Sequence, residues 1–141
     1  MSLTEESTAV ALRWGEVWQQ GTLDDLDAIF ASDVVDHAPS GEGIPGLEAL
    51  KARFRLLKAA FPDLAVAYQH LIAQGEHVVL HWLVSGTHQG AYLGYPATHQ
   101  RVSWHGTTIL RVAQGKISER WTYQDSDGLI KQLRGDATKA S

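Results

Sequence analysis

The fold is decided by residues 102–125, which read VSWHGTTILRVAQGKISERWTYQD. Polar and apolar residues alternate through both halves of this stretch, as expected for two strands that each cover a core with one face. Gln114-Gly115 in the middle is typical of a tight hairpin turn. The stretch therefore predicts two antiparallel strands, Val102–Val112 and Lys116–Asp125.

Two further strands and three helices precede this hairpin. Leu64–Ala73 alternates like a strand, and His77–Thr87 is apolar on both faces, which is typical of a central strand. Apolar residues at helical spacing predict helices over Thr4–Gln20 and Leu47–Phe61. Thr22 followed by Asp25 resembles a capping box, which predicts a short helix from Thr22 to Phe30.

The remaining segments complete an α+β layout. Ser32–Ala38 reads as a short edge strand, and Gly128–Leu133 as a terminal helical turn. We expect a curved antiparallel sheet with helices packed on its concave face. Residues 1–135 are expected to form a single domain, followed by a short flexible tail over 136–141.

Composition excludes several classes of function. The 141 residues carry 12 basic and 16 acidic side chains, and this net charge of −4 argues against a nucleic-acid surface. The absence of cysteine excludes disulfides, thiolate metal sites and cysteine nucleophiles. The N-terminus has no signal-peptide pattern, and no apolar run has the length of a membrane span. We therefore expect a cytoplasmic protein that has neither a nucleic acid nor a membrane as its partner.

The last predicted strand has one face suited to a pocket wall. The more apolar of its two faces, which we expect to cover the core, carries Ile117, Glu119, Trp121, Tyr123 and Asp125. A turn that pairs Ala113 with Lys116 places this set opposite Trp104 and Thr108, provided that no bulge intervenes. The sequence thus predicts an aromatic pocket that contains two carboxylates.

Asp125 is the predicted acid/base group of this pocket. Burial of a carboxyl group disfavours its charged form and suits it to proton transfer near neutral pH. We expect the substrate to contact Trp104, Trp121, Tyr123, Trp82, Thr108 and Glu119. The alternative is that Asp125 only caps the helix that follows, since aspartate is a favoured N-cap residue. The residue pattern alone leaves both interpretations open.

Short motifs occur in a characteristic order along the chain. They are Val35–Pro39, Phe61–Asp63, Gly86–Gly90 with Pro96, Gly115–Ile117 with Glu119 and Trp121, and Asp125 with Gly128-Leu129 and Gln132-Leu133. Their order and spacing resemble the SnoaL-like polyketide cyclases of the nuclear-transport-factor-2-like superfamily, from Val10 to Gly135. The resemblance implies a cone-shaped α+β barrel with a deep pocket. His81 departs from the common pattern, which has arginine there, and so does the loop Tyr95–His99.

The resemblance also implies a reaction. Such cyclases close a ring by intramolecular aldol condensation without a cofactor, and an aspartate at the position of Asp125 acts as general acid/base. The resemblance places His37 at the pocket mouth, where it either donates a proton or hydrogen bond to the ligand or only anchors the loop through backbone carbonyls. His88 either orients Asp125 or donates to the substrate, or it only fixes the glycine-rich loop. Relatives also imply an apolar small-molecule substrate and a homodimer formed through the sheet face.

Other functions stay open at this point. Isomerisation or dehydration would use the same proton transfer next to a carbonyl. A limonene epoxide hydrolase-like enzyme would need an Asp–Arg–Asp arrangement around water, for which only Arg53 and Arg111 are candidates. A non-catalytic protein would use the pocket to bind an apolar ligand. No helix carries a Glu-x-x-His pair and cysteine is absent, so we expect no metal site.

Overall fold

The computed structural model describes residues 2–20, 22–37 and 43–135. Ala38, the last residue of the predicted edge strand, and the predicted tail over 136–141 lie outside the described residues. The described elements follow the predicted order closely. They are α1 (Leu3–Gln20), a 3-10 turn (Leu23–Asp25), α2 (Leu26–Ile29), β1 (Phe30–His37), β2 (Gly43–Pro45), α3 (Leu47–Ala60), β3 (Ala65–Gln74), β4 (His77–Thr87), β5 (Arg101–Ala113), β6 (Lys116–Gln124) and α4 (Ser126–Leu133).

The strands form one mixed sheet in the order β2-β1-β6-β5-β4-β3. Strands β3 to β6 form the predicted antiparallel meander, but β1 pairs parallel to β6. The prediction of β1 as an edge strand is wrong, because β1 lies between β6 and the short strand β2. Its Val34 and Asp36 are buried, as expected for a strand with a partner on each side. The helices pack on one face of this curved sheet, so the predicted α+β fold is confirmed.

An aromatic cluster joins the helices to the sheet. Trp14 packs against Phe30 and Trp18 with ring centroids 4.9 and 5.0 Å apart, and Trp18 packs against Phe54 at 4.7 Å. Full burial of one such side chain stabilises the folded state by about 1.5–3 kcal/mol. These contacts anchor α1 and α3 over the sheet and so fix the space between them.

No helix of the described chain is long and apolar enough to cross a bilayer.

A bulge in β6 decides which of its side chains face the core. The predicted pairing of Ala113 with Lys116 is present, but the register shifts after Ile117, so Glu119 pairs with Arg111. One extra residue, Ser118, reverses the alternation of faces along the rest of the strand. The core face therefore carries Arg120, Thr122 and Gln124, and the outer face carries Glu119, Trp121 and Tyr123. The prediction that the latter set points inward is wrong for this reason.

A second bulge acts in the same way in β3. The register between β3 and β4 shifts between Tyr68 and His70, and Leu71 then packs against the core while Ile72 is 64% exposed. The pairing of β4 with β5 contains no shift. Trp82, Trp104 and Thr108 consequently lie on the core face of these two strands. For β5 this is the face that the alternation predicted.

Candidate active site

A cavity of about 430 Å³ lies between the core face of the sheet and α3. Cavities that bind small molecules commonly have volumes of about 300–1,000 Å³. Its apolar and aromatic walls are formed by Trp18, Leu50, Phe54, Leu57, Trp82, Val84, Tyr92 and Trp104. Its polar lining consists of Asp36, His37, Arg53, Arg120, Thr122, Gln124 and Ser126. A flat apolar molecule with a few polar groups matches this lining.

Two tryptophans of the wall are held in fixed orientations. The Trp82 Nε1 donates to Thr108 Oγ1 at 2.9 Å, and the Trp104 Nε1 donates to Gln124 Oε1 at 3.2 Å. The ring of Trp82 lies directly over Gly106, where a Cβ atom would overlap it. Three predicted substrate-binding residues, Trp82, Trp104 and Thr108, thus lie at or beside the cavity.

A charged group, here called the floor cluster, lies among the lining residues of the cavity. It consists of Asp36, Arg53 and Arg120. Asp36 is 5% exposed. Its Oδ2 accepts a hydrogen bond from the Arg53 Nη1 and lies 3.6 Å from the Arg120 Nη1. Arg120 is 8% exposed and donates from Nη2 to Thr122 Oγ1 at 2.8 Å. Burial lowers the pKa of Arg120 from its usual value, and Asp36 opposes that shift. Arginine nevertheless stays charged, so Asp36 is the counter-ion that this buried cation requires.

A second group, here called the rim cluster, lies along the pairing of β1 with β6. It consists of His37, Glu119, Arg111 and Trp121. The His37 Nε2 lies 2.8 Å from Glu119 Oε2, and the Arg111 Nε donates to Glu119 Oε1 at 2.6 Å. These two hydrogen bonds hold the pKa of Glu119 below its usual value. The His37 ring stacks on Trp121 with centroids 4.8 Å apart. The cluster fixes the His37 ring against the outer-face residues Glu119 and Trp121, and His37 is also among the residues that line the cavity.

Asp125 occupies a different position from the predicted one. Its carboxylate Oδ1 accepts from the Gly128 N at 3.0 Å, so Asp125 is the N-cap of α4. The side chain is exposed, while its neighbours Gln124 and Ser126 line the cavity. The helix-capping alternative raised from the sequence therefore describes its contacts. Tyr123 is 49% exposed on the outer face and is not among the lining residues.

His88 is fully buried but lies outside the cavity lining. Its Nδ1 accepts from the Thr98 N at 3.2 Å, and its ring stacks on Phe61 with centroids 5.5 Å apart. Burial is the main cause that lowers the pKa of His88 from its usual value. A neutral imidazole that accepts a backbone N–H matches the interpretation of His88 as an anchor of the loop.

The remaining histidines do not meet at the cavity. His81 stacks between His70 and His105 on the outer face of the sheet, and the His70 and His81 Nδ1 atoms are 3.0 Å apart. Within residues 2–20, 22–37 and 43–135, no three histidine or carboxylate side chains are placed to hold a metal ion.

Sequence reasoning missed most of the floor cluster. Asp36 alternates with Val34 on β1, which indicates a core-facing position, but the sequence analysis selected the adjacent His37 instead. Arg120 reads as an outward residue until the bulge at Ser118 is known. From the sequence, Arg53 is a candidate only for the Asp–Arg–Asp arrangement of an epoxide hydrolase.

The fold and the cavity define a small α+β protein that encloses a cavity between a curved sheet and its helices. The model of the SnoaL-like polyketide cyclase family matches residues 8–133, and the chain belongs to this family. The resemblance drawn from the short motifs is thereby confirmed.

Individual relatives are similar over most of the chain. Nogalonic acid methyl ester cyclase of Streptomyces nogalater is 28% identical over 115 residues, which cover 80% of this chain and 86% of that protein. AclR of Streptomyces galilaeus, described as a candidate hydroxylase, has a TM-score of 0.84 at 28% identity, with 92% of this chain and 82% of that chain covered. A candidate polyketide cyclase from Acidithiobacillus ferrooxidans has a TM-score of 0.80 at 29% identity, with 96% and 99% covered. Cyclases of small polyketide molecules are therefore among the homologues of this chain.

Proposed function

We propose that this protein is a cofactor-independent cyclase that moves a proton next to a carbonyl group of a small polyketide molecule. The family supports the class of reaction, since the curated relatives are named as cyclases of polyketide methyl esters. The aromatic walls formed by Trp82 and Trp104 support a flat, mostly apolar substrate.

The hydrogen bond between His37 and Glu119 is the observation that carries the assignment of the acid/base group. An imidazole exchanges protons near neutral pH, and His37 lines the cavity. With Glu119 accepting from Nε2–H, the neutral ring carries its lone pair on Nδ1. In the proposed step this Nδ1 takes a proton from the carbon next to a carbonyl. The resulting enolate carbon attacks a second carbonyl, and the proton returns to the new alkoxide oxygen.

Arg53 is the proposed partner of the developing negative charge. Its side chain lines the cavity and is 56% exposed, and its Nη1 is held by Asp36. A preorganised cationic donor stabilises an enolate oxygen without moving during the reaction.

Asp125 is the second candidate for the acid/base group. The family resemblance assigns it this role, and its neighbours Gln124 and Ser126 line the cavity. To act on a substrate its carboxylate would have to leave the Gly128 N that it now caps. The geometry therefore favours His37. Substituting each of the two residues in turn compares the two assignments directly.

Turnover of nogalonic acid methyl ester, the compound named for the Streptomyces relative, tests the assignment. We expect His37→Gln to lower kcat by at least 100-fold, because general acid–base catalysis commonly contributes about 10²–10⁴-fold. Asp125→Asn keeps a capping side chain and should leave kcat within a few-fold of the wild type. The opposite pattern, with Asp125→Asn inactive and His37→Gln active, would transfer the role to Asp125.

The other two functions make different predictions. A non-catalytic pocket protein would bind the ester without converting it, with equal affinity in wild type and His37→Gln. An epoxide hydrolase-like site needs two carboxylates beside an arginine, but the described lining residues include one carboxylate, Asp36. The cyclase proposal is therefore favoured over both.

A homodimer through the outer sheet face remains part of the proposal. That face exposes two large apolar side chains, Ile72 and Tyr123, and it also carries the stacked histidines. Exposed apolar surface of this kind is typical of an interface between proteins. Light scattering at micromolar concentration should return twice the mass of the chain, and a monomer mass would contradict the dimer. Ile72→Asp, on this face, should shift the mass toward the monomer, whereas Leu56→Asp on α3 should not.

A further inference from the structure

The Tyr92 hydroxyl is a hydrogen-bonding group of the cavity that the described protein atoms do not use. Tyr92 is one of the residues that line the cavity, and its hydroxyl has no hydrogen-bond partner among the described residues. The Arg120 Nε also lacks a partner there, but it is sealed from solvent, whereas the Tyr92 hydroxyl is not. A water-sized molecule can therefore reach the Tyr92 hydroxyl, and so can a polar group of a ligand.

A tight turn holds the backbone of Tyr92. The Tyr92 N donates to the Tyr95 O at 3.0 Å, and the Tyr95 N donates back to the Tyr92 O at 2.9 Å. Between them, Leu93 and Gly94 have φ angles of 52° and 84°, and positive φ at both central residues is typical of a type I′ turn. The Tyr92 ring packs edge-on against the fully buried Phe61, with centroids 5.5 Å apart. Both ends of the residue are thus fixed.

The segment that leads into this turn is attached to α3, the helix that carries Arg53. The backbone N atoms of Gln89 and Gly90 donate to the Ala60 O at 2.9 and 3.2 Å. An added Cβ at Gly90 would lie 2.8 Å from a backbone oxygen of α3, so the loop approaches the helix as closely as glycine allows. Tyr92 and Arg53 are therefore positioned by the same helix.

The surroundings of Tyr92 suit a neutral donor. Burial raises the pKa of Tyr92 above its usual value, and the charge of Arg53 opposes this shift. The phenol consequently keeps its proton at neutral pH and can donate it in a hydrogen bond. Arg53 lines the same cavity and is held by Asp36. One neutral donor and one charged donor thus line the same cavity from two elements that are joined to each other.

We propose that the Tyr92 hydroxyl donates a hydrogen bond to the substrate carbonyl oxygen that becomes the enolate oxygen, beside Arg53. The inference rests on the proposed function and adds a second donor to that oxygen. The phenolic proton stays on Tyr92 throughout, so the proton transfer remains with His37. A donor that is fixed before the reaction stabilises negative charge as it develops, which lowers the barrier. Tyr92 is thus a further catalytic residue.

Turnover of nogalonic acid methyl ester by Tyr92→Phe tests this role. The variant removes the hydroxyl alone and keeps the ring that packs on Phe61. We expect kcat to fall by about 10²-fold or more with KM changed only a few-fold, because removing one donor of this kind commonly costs about 10²–10³-fold in kcat. Tyr95→Phe is the matched control, since Tyr95 belongs to the same turn but not to the lining residues. A kcat that is unchanged in Tyr92→Phe, or that falls equally in Tyr95→Phe, would overturn the proposal.

Ionisation of a bound dye tests the hydroxyl without turnover. 2-Hydroxyanthraquinone is flat, and its ionised form absorbs at longer wavelength, so absorbance across a pH series gives the pKa of the bound dye. We expect the wild type to lower this pKa relative to the free dye, because hydrogen bonds to a charged oxygen favour the charged form. Tyr92→Phe should reverse about tenfold or more of the effect on the ionisation constant, and Tyr95→Phe should reverse none. Equal values in wild type and Tyr92→Phe, or a dye that the wild type does not bind, would contradict the proposal.

The two measurements separate this inference from the proposed function. Loss of turnover in His37→Gln, together with unchanged turnover and unchanged dye ionisation in Tyr92→Phe, would refute the role of Tyr92 alone. A wild type that converts no ester, but whose effect on the dye depends on Tyr92, would refute the cyclase function alone and leave Tyr92 as a donor to a bound oxyanion.

Discussion

The floor cluster and the rim cluster share one arrangement but stand in different surroundings. Both contain a carboxylate held by two nitrogen donors: Asp36 by Arg53 and Arg120, and Glu119 by His37 and Arg111. Asp36 is buried, whereas Glu119 is partly exposed. Removing one partner from a buried pair leaves an uncompensated charge, while water compensates at the rim. The floor cluster should therefore contribute more to stability than the rim cluster does.

The largest expected effect is that of Asp36→Asn. It leaves the buried Arg120 without its counter-ion, which we expect to lower the free energy of unfolding by about 3–5 kcal/mol in urea titrations. The matched variant at the rim, Glu119→Gln, should lower it by less than about 1 kcal/mol. Equal losses in the two variants would remove the difference between the clusters.

A smaller effect is expected from Gly106→Ala, which tests whether packing beside the floor cluster matters as much as its charges. The added Cβ overlaps the Trp82 ring, and overpacking of this kind costs about 1–3 kcal/mol. Trp82 would have to shift and give up its bond to Thr108, so its fluorescence should change as well. Gly106→Ala with Trp82→Leu should regain part of the stability, and no regain would show that the clash lies elsewhere.

Asp125→Ala tests the helix cap that follows β6. Loss of the bond to the Gly128 N should destabilise α4 by about 1 kcal/mol, measured by thermal unfolding. Asp125→Asn is the control, since asparagine also caps helices and should cost a few tenths of that amount. A large loss in both variants would mean that the carboxylate has a further partner.

The smallest effect is the pH dependence at the rim. The pKa of Glu119 is lowered in the folded state below its ordinary value of 4.5, mainly by the hydrogen bond from His37 and then by that from Arg111. Its stabilising contribution is therefore fully present above the unfolded-state value and is lost as the pH falls through the folded-state value. The wild type should be more stable than Glu119→Gln at pH 6, and this difference should shrink below about pH 4.5. A difference that grows on acidification would contradict the lowered pKa.

The alternation of residues predicted the strands better than it predicted their faces. β4 and β5 pair without a shift, so the inward positions of Trp104 and Thr108 followed directly from period-two patterning. In β6 the polar residues Arg120, Thr122 and Gln124 face inward, against the usual association of polar residues with solvent. Their partners are Asp36, Thr108 and Trp104 on other strands, and local patterning contains no information about such long-range contacts.

The parallel pairing of β1 with β6 also could not be predicted from local sequence patterns. It joins His37 to Trp121 across 84 positions of sequence, and no turn motif connects the two strands. His37, which the family resemblance places at the pocket mouth, is among the residues that line the cavity. Its contact with Glu119 required the structure.

The bulge at Ser118 has a practical consequence for protein engineering. Beyond it, positions 120, 122 and 124 belong to the cavity, and positions 119, 121 and 123 belong to the outer surface. A mutant library restricted to the first three positions would vary ligand recognition while keeping the outer surface constant. Deletion of Ser118 would exchange the two sets in one step, so insertions and deletions here should change ligand choice more than most point substitutions do.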